Sequence, residues 1–499
     1  MKVMLMNHPI TVAREEWVGG NTMAPLGILY LAAFLSRERP DIEVRLLDCL
    51  LEPAESPDGD RGHKRVGLPE ERLRNEIEAF APDVVGISSM YTSYARDAYW
   101  LSRLVKGINP NIKVVMGGAH PSSNPASAIE HADAVVKGEG EQTFLELIDA
   151  IREGGVLAGI PGTAVKKDGT VIEGPPRGFI EDLDALPFPA REMLPMESYF
   201  RNWAGVINYN MRMPVATLIS SRGCPGKCIY CAVKNMYGRR WRARSAENVV
   251  DEIESLMSGF GVREVSFSDD SMSVNRKRMQ ALCNEIIRRR LDIKWAPPTG
   301  IAIWTLDEPL LDLMKKSGCY RLTFGLESGN PETLKYLGKD YSYESASRII
   351  RHANDIGIWT AGTFIIGFPN EDEGSVNDTI SFAVDSGIDF AVFYTPVVFP
   401  GTPLFEEFKL LGLGVSEDVD GVIKCYDTRY FKGEDLNRIR GEANRKVLAS
   451  RMKRPLQFLK KVRSGEDLLY MFKIISNFLK LTRFGHRGSA TAFIRRTKS

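Results

Sequence analysis

Short, continuously apolar runs alternate with amphipathic stretches from the first residues onward. KVMLMN, EVRLLDC, DVVGISSM, KVVMGGAH and AVVKGEG each read as a strand, and each is trailed by a segment of helical spacing; PLGILYLAAFLSRE and EERLRNEIEAFA are the clearest. A strand that is apolar along its whole length is covered on both faces, so strands of this kind separated by helices predict a parallel sheet with helices on either side.

Five such units predict a doubly wound α/β domain of flavodoxin-like (Rossmann-like) type over residues 1–155. Ligands of such sheets lie at the carboxyl ends of the strands, where this sequence places Ser88 and Ser89, Gly117 and Gly118, and Gly138 and Glu139. Residues 156–212 read as a linker. KKDGTVI carries a Lys-Asp-Gly turn that predicts a small hairpin, and the prolines of LPFPARE exclude a regular element. Over residues 213–410 the alternation resumes, with VATLISS, EVSFSDD, IKWAPPTG, RLTFGLES, TAGTFIIGF and FAVFYTPVV as strands and SAENVVDEIESLMSG and DEPLLDLMKKSG among the helices. Six βα units predict a partial (β/α)6 barrel of TIM type. Residues 411–499 read as a helical C-terminal region in which, from 431 on, Lys and Arg outnumber Asp and Glu more than threefold.

The 499 residues carry a formal charge of +1, so charge gives no reason to expect a nucleic-acid partner. No stretch approaches the roughly 18 uncharged apolar residues of a membrane span, and the N-terminal run lacks the form of a signal peptide; the expected location is cytoplasmic. The seven cysteines, an odd number in a long chain, do not form a disulfide framework.

Three of them fall within eight residues, Cys224-Pro-Gly-Lys-Cys228-Ile-Tyr-Cys231, just after VATLISS. Thiolates are soft donors for zinc or iron–sulfur clusters. Structural zinc takes four ligands, yet the nearest histidines, His131 and His352, are more than ninety residues away. Three thiolates in one tight loop suit a [4Fe–4S] cluster with one iron left open.

This loop, with Tyr230 before its last cysteine, resembles the signature of the radical S-adenosylmethionine (SAM) superfamily. The resemblance implies that the open iron chelates SAM and that an electron from the cluster releases a 5′-deoxyadenosyl radical. It further implies SAM contacts from Tyr230, from Ser268 and Asp269 ending the second barrel strand, and from Glu327 and Ser328 ending the fourth. Gly367 closes the fifth-strand segment, Pro400 to Leu404 follow the sixth, and Arg242 and Arg244 are placed to pair with the SAM carboxylate.

Gly117-Gly118-Ala-His120-Pro and Gly138-Glu139-Gly-Glu141, with Pro25-Leu26-Gly27 opening the first helix, resemble the cobalamin (B12)-binding domains fused to radical SAM barrels. That resemblance implies bound cobalamin, touched by Ser88, Ser89, Gly117, Gly118, His120, Gly138 and Glu139. The stretch Asp48-Cys49-Leu50-Leu51-Glu52 stands where many such domains carry Asp-x-His-x-x-Gly, and it lacks the histidine. Cobalamin is therefore expected with its base displaced and no histidine on cobalt.

Together the resemblances imply a cobalamin-dependent radical SAM enzyme, a methyltransferase acting on an unactivated carbon of a small-molecule or lipid-like substrate by way of the deoxyadenosyl radical and methylcobalamin. Its electron donor would be a flavodoxin or ferredoxin. A non-methylating cyclase, rearrangement or oxidation enzyme with the same cofactors, and a corrinoid- or redox-sensing binding protein, remain as alternatives. Cys283 and Cys319 read as small core hydrophobes, and Cys425 is left open between a core residue and an active-site thiol. In the tail, Leu468, Phe472, Ile475 and Leu479 share one helix face. That face is expected to pack on the open side of the barrel, with peripheral membrane contact as the alternative.

Overall fold

The computed structural model describes residues 1–13, 23–51, 54–57, 62–202, 210–339, 341–415, 425–453 and 455–484, with the side chains of 56, 57, 201, 202, 455, 456 and 477–484 left out. These residues form two compact units, one built on residues 1–206 together with 232–238, the other on 207–231, 239–416 and 421–499.

The core of the first unit is a sheet of β1 (Lys2–Asn7), β2 (Glu43–Asp48), β3 (Val84–Ser88), β4 (Lys113–Gly117), β5 (Ala134–Val136), β6 (Thr163–Lys167) and β7 (Thr170–Glu173). The spatial order is β7-β6-β5-β4-β3-β1-β2. Strands β1 to β5 are parallel, in the flavodoxin-like order 2-1-3-4-5 expected from the alternation. Val3 to Met6 and Val84 to Val85 are buried, as a sheet covered on both faces requires. The hairpin foreseen at KKDGTVI forms, with Asp168 and Gly169 both at positive φ (51° and 78°) in its turn. It extends the sheet antiparallel beside β5. A small antiparallel sheet of Ile10–Ala13, Ala54–Pro57 and His63–Gly67 was not legible, because Lys64 and Arg65 give its central strand the look of a polar loop.

The second unit contains β8 (Val215–Leu218), β9 (Glu264–Phe267), β10 (Lys294–Ala296), β11 (Arg321–Glu327), β12 (Trp359–Ile365) and β13 (Phe390–Tyr394). All six expected barrel strands are present. They pair parallel as β8-β9-β10 and β11-β12-β13, and single parallel bridges, Trp295 to Cys319 and Ile301 to Phe324, join the two halves. The intervening helices begin and end where local chemistry dictates. Ser245 caps Ala246–Phe260, which stops at Gly261 in the left-handed region. Asp307 caps Glu308–Lys316 with a proline in its first turn.

The tail helix Gly465–Phe484 corrects the expectation for its face and its place. Tyr470, Met471 and Ile474 are buried against Tyr320, Trp359 and Ala296, whereas Leu468, Phe472 and Ile475 are exposed. Tyr320 and Trp359 stand at the amino ends of β11 and β12, so the helix covers that end of the barrel and not the open one. The physical reason is polar. The Tyr470 hydroxyl bonds within the buried Arg321 and Tyr320 group, a partnership that helical hydropathy does not register. The Leu479 side chain lies outside the described residues.

Candidate active site

The carboxyl end of β8 passes into a two-stranded ribbon, Ser221–Arg222 against Arg242–Ala243, and the cysteine loop is the connection it closes. Cys224, Cys228 and Cys231 are half-buried free thiols. Gly226 sits between two of them; a Cβ there would lie 3.3 Å from Cys224 Sγ and 3.8 Å from Cys228 Sγ. The loop backbone is pinned from two sides, by Ile229 N donating to Leu337 O (3.3 Å) and Leu404 N donating to Ile229 O (3.1 Å). Gly338, at φ +75°, lets the helix Pro331–Leu337 end against the Lys227 carbonyl, where a Cβ would come within 2.8 Å.

Among the described residues no three ligating side chains converge on a single metal ion. A multi-iron cluster takes each thiolate on a different iron, so three soft donors on one loop fit it. Burial pushes the Cys224 thiol up, so its thiolate needs a cation beside it.

Tyr230 anchors the network next to this loop. Its hydroxyl donates to Glu327 Oε1 (3.0 Å), its ring lies 6.1 Å from that of Phe368, and burial beside Glu327 holds the phenol well above its ordinary value. Glu327 ends β11 in the left-handed region, φ 63°. It also accepts from Lys339 Nζ (2.8 Å), which donates in turn to Gly325 O (2.7 Å). Lys339 lies over the Trp304 ring (5.6 Å), and Trp304 stacks on Tyr341. Sequence reasoning missed Lys339, Trp304 and Tyr341; the only local signal was the Gly338-Lys339 pair ending a helix.

Other expected contacts separate into two groups. Ser268 is half-buried at the end of β9. Asp269 is buried and spent on its own unit, accepting from Ser220 N (2.8 Å), Ser220 Oγ (2.6 Å) and Ser221 Oγ (2.5 Å). Its neighbour Asp270 is half-buried, accepting from Gly223 N (3.2 Å), with burial pushing its carboxyl up to about 6. Arg244 is likewise occupied. It pairs with Glu252 and donates to Asn248 Oδ1 (2.6 Å) and Ile219 O (3.1 Å), so it braces the strand–helix junction and does not offer its fork to a ligand. Arg242 is buried in the ribbon. Ser328 is fully buried, its hydroxyl bonded to Thr379 Oγ1 (2.9 Å) and to Asn330 N (3.1 Å). Gly367, at φ +99°, and Phe368 donate their N–H groups to Glu371 Oε2 (2.7 and 3.0 Å). Glu371 is fully buried, its Oε1 has no partner, and burial pushes it up to about 7.

In the first unit, the expected residues line neighbouring strand ends. Ser88 and Gly117 close the adjacent strands β3 and β4. Gly118, at φ +111°, approaches Ser89 so closely that a Cβ would lie 2.6 Å from its carbonyl oxygen. Ser89 is fully buried, and its hydroxyl has no hydrogen-bond partner. An orphaned hydroxyl beside glycines that admit a close backbone approach fits a long ligand tail. Gly138, at φ +74°, donates to Ser122 Oγ (2.9 Å), and Glu139 accepts from Ile180 N (2.8 Å). His120 is buried with both ring nitrogens engaged, by Tyr99 Oη (2.7 Å) and Thr92 Oγ1 (3.3 Å), and burial pushes it down to about 4. Burial holds its imidazole neutral. Asp48, in place of the missing histidine motif, accepts from Asn7 Nδ2 (2.9 Å) and Tyr199 Oη (2.8 Å).

Comparison with known proteins now decides the family. The Radical SAM superfamily model matches residues 218–383, and the B12 binding domain model matches residues 18–148. A Pyrococcus horikoshii protein named uncharacterized methyltransferase PH0819 is 36% identical over 81% of this chain and 83% of its own length. The chain belongs to the cobalamin-dependent radical SAM enzymes. The Streptomyces wedmorensis cytidylyl-2-hydroxyethylphosphonate methyltransferase is 32% identical over 81% of each chain. The radical SAM methyltransferase TsrM of Kitasatospora setae, solved with cobalamin and a [4Fe–4S] cluster, shares the fold. Its TM-score is 0.66 at 21% identity, over 83% of this chain and 75% of that one. From its two family models, the cofactors of this radical SAM enzyme are a [4Fe–4S] cluster, SAM and cobalamin.

Proposed function

We propose that this methyltransferase places a methyl group on an unactivated carbon of a small-molecule substrate. In this reading residues 1–155 hold cobalamin, 156–212 add the hairpin to that unit's sheet and lead on to the barrel, 213–410 form the radical core and 411–499 complete it. The observation that carries the reading is the three-thiol loop at the carboxyl end of β8, joined through Tyr230 to the buried Glu327–Lys339 pair at the end of β11. When bound, the cluster and SAM supply a carbon radical and the corrinoid supplies the methyl group.

The chain's own residues position these groups. Cys224, Cys228 and Cys231 hold the cluster. Tyr230 donates its proton to Glu327 in a hydrogen bond, which leaves the second carboxylate oxygen of Glu327 for a hydroxyl or ammonium of SAM, with Ser268 and Asp270 at the end of β9. Gly367, kept in place by Glu371, lets Leu436 pack closely against the end of β12. Asp269, Arg244 and Ser328 act behind these residues, as supports. Ser88, Ser89, Gly117, Gly118 and Gly138 receive cobalamin, while His120 and Glu139 hold the strand ends from behind.

Anaerobic incubation with strong reductant and SAM bearing a deuterated methyl group tests this. The expected outcome is 5′-deoxyadenosine together with labelled methyl in the corrinoid fraction, both lost in Cys228→Ala. Deoxyadenosine without any labelled corrinoid would favour a non-methylating enzyme.

A further inference from the structure

Glu327, the last residue of β11, stands where the strand loses its register, since the pairing with β12 shifts between Gly325 and Glu327. Its φ is 63°, and Ser328 N donates to Leu326 O (2.8 Å) across it. A bond between residues two apart, with a positive φ between them, makes a γ-turn of the rare and strained kind. Such strain persists only where the surroundings hold it, and it collects at sites with a function. The Glu327 side chain is only 9% exposed. Both of its hydrogen-bond donors, Tyr230 and Lys339, meet Oε1, and Oε2 accepts from no group among the described residues.

What holds this turn comes from one short segment. Tyr341 Oη reaches the carbonyls on either side of Glu327, Leu326 O (2.5 Å) and Ser328 O (2.9 Å). Lys339 Nζ holds a third, Gly325 O (2.7 Å), as well as Glu327 Oε1 (2.8 Å). Gly325 leaves room for that ion pair; a Cβ there would lie 2.9 Å from Glu327 Oε1 and 3.4 Å from Lys339 Nζ. Both side chains are themselves fixed. Lys339 N donates to Leu334 O (2.9 Å) around the left-handed Gly338, and the Tyr341 ring lies stacked on Trp304 with the planes 6° apart. The same helix end carries Leu337 O, which accepts from Ile229 N of the cysteine loop. One segment therefore abuts the loop of the three thiols and sets the conformation of Glu327.

We propose that Lys339 and Tyr341 are positioning residues for SAM: they hold the strained turn at Glu327 and engage Oε1, so that Oε2 stays fixed and free for the ligand. This rests on the reading that Glu327 contacts SAM. A carboxylate set in place before its ligand arrives loses little freedom on binding, so the pair acts through SAM affinity.

Binding of radiolabelled SAM to the reconstituted holoenzyme, by anaerobic equilibrium dialysis without reductant, tests this apart from turnover. Glu327→Gln is expected to weaken SAM roughly tenfold. Lys339→Met and Tyr341→Phe should each weaken it about fivefold alone, and by less than about twofold in the Glu327→Gln background. A general loss of structure would not depend on Glu327 in this way. Tyr341→Phe removes one oxygen and keeps the ring on Trp304, so it serves if Lys339→Met does not fold; iron content and the urea midpoint show which variants have kept their structure. Wild-type SAM affinity in Tyr341→Phe, or a loss of the same size with Glu327 and with Glu327→Gln, would overturn the proposal. If Glu327→Gln itself binds SAM as the wild type does, the contact beneath the proposal fails and the proposal with it. Dialysis needs no methyl transfer, so either failure is distinguishable from a negative deuterium experiment.

Discussion

Glu327 and Lys339 meet with little of either side chain exposed, 9% and 6%, and Tyr230 completes the group. Removing one partner of a buried pair leaves an uncompensated charge and costs about 3–5 kcal/mol. Lys339→Met is therefore expected to lower the urea midpoint by that cost, and Lys339→Met with Glu327→Gln to lose less than the two single changes summed; strictly additive losses would speak against the pairing. Glu371 gives a second test. Burial raises its folded pKa to about 7 from an ordinary 4.5, so between these values the folded state keeps a proton that the unfolded chain releases. Stability from this group is full below pH 4.5 and falls, by up to about 3 kcal/mol, as pH rises through 7. Glu371→Gln should flatten that decline in urea titrations between pH 5 and 8. The cysteines were legible because three thiols on one loop have no packing explanation. The partners of Arg244 and Asp269 were not legible, because sequence shows a residue's type and not what its side chain is bonded to, here Glu252 and the Ser220–Ser221 pair.

Elements were legible wherever hydrophobicity alone decides them. The five parallel strands of the first unit and the six of the barrel are apolar runs that nothing else in the chain could cover. The strand His63–Gly67 was hidden by its charges, which find Glu55 and Asp97. The tail helix has apolar residues on two faces, and the Tyr470 hydroxyl selects the buried one. Before that helix, Lys461 is fully buried and bonds Asp389, Asn354 Oδ1 (2.6 Å) and Ile358 O (2.7 Å), at the amino ends of β12 and β13. Lys461→Met should cost about 3–5 kcal/mol in urea unfolding by stranding Asp389. Because the cysteine loop sits at the opposite strand ends, the folded variant should retain its iron. Loss of iron in protein that remains folded would show that the two ends of the barrel are coupled.

At the scale of the whole chain, one sequence encodes two parallel α/β units, and in both the residues with chemistry to offer stand at the carboxyl ends of strands. That arrangement made the cofactors readable, since glycines, serines and thiols follow apolar runs at fixed places. The substrate was not readable, because no motif in the chain marks the residues that surround it. Among the described residues no helix is long and apolar enough to cross a membrane. The central claim is that one chain carries both an iron–sulfur cluster and a corrinoid. Iron, sulfide and corrinoid content of protein purified without oxygen, from cells supplied with cobalamin, tests it most directly. The expected result is about four iron and about one cobalamin per chain, with iron lost in Cys228→Ala while the corrinoid stays. Iron at that level with no corrinoid would contradict it, leaving a radical enzyme whose first unit is a scaffold.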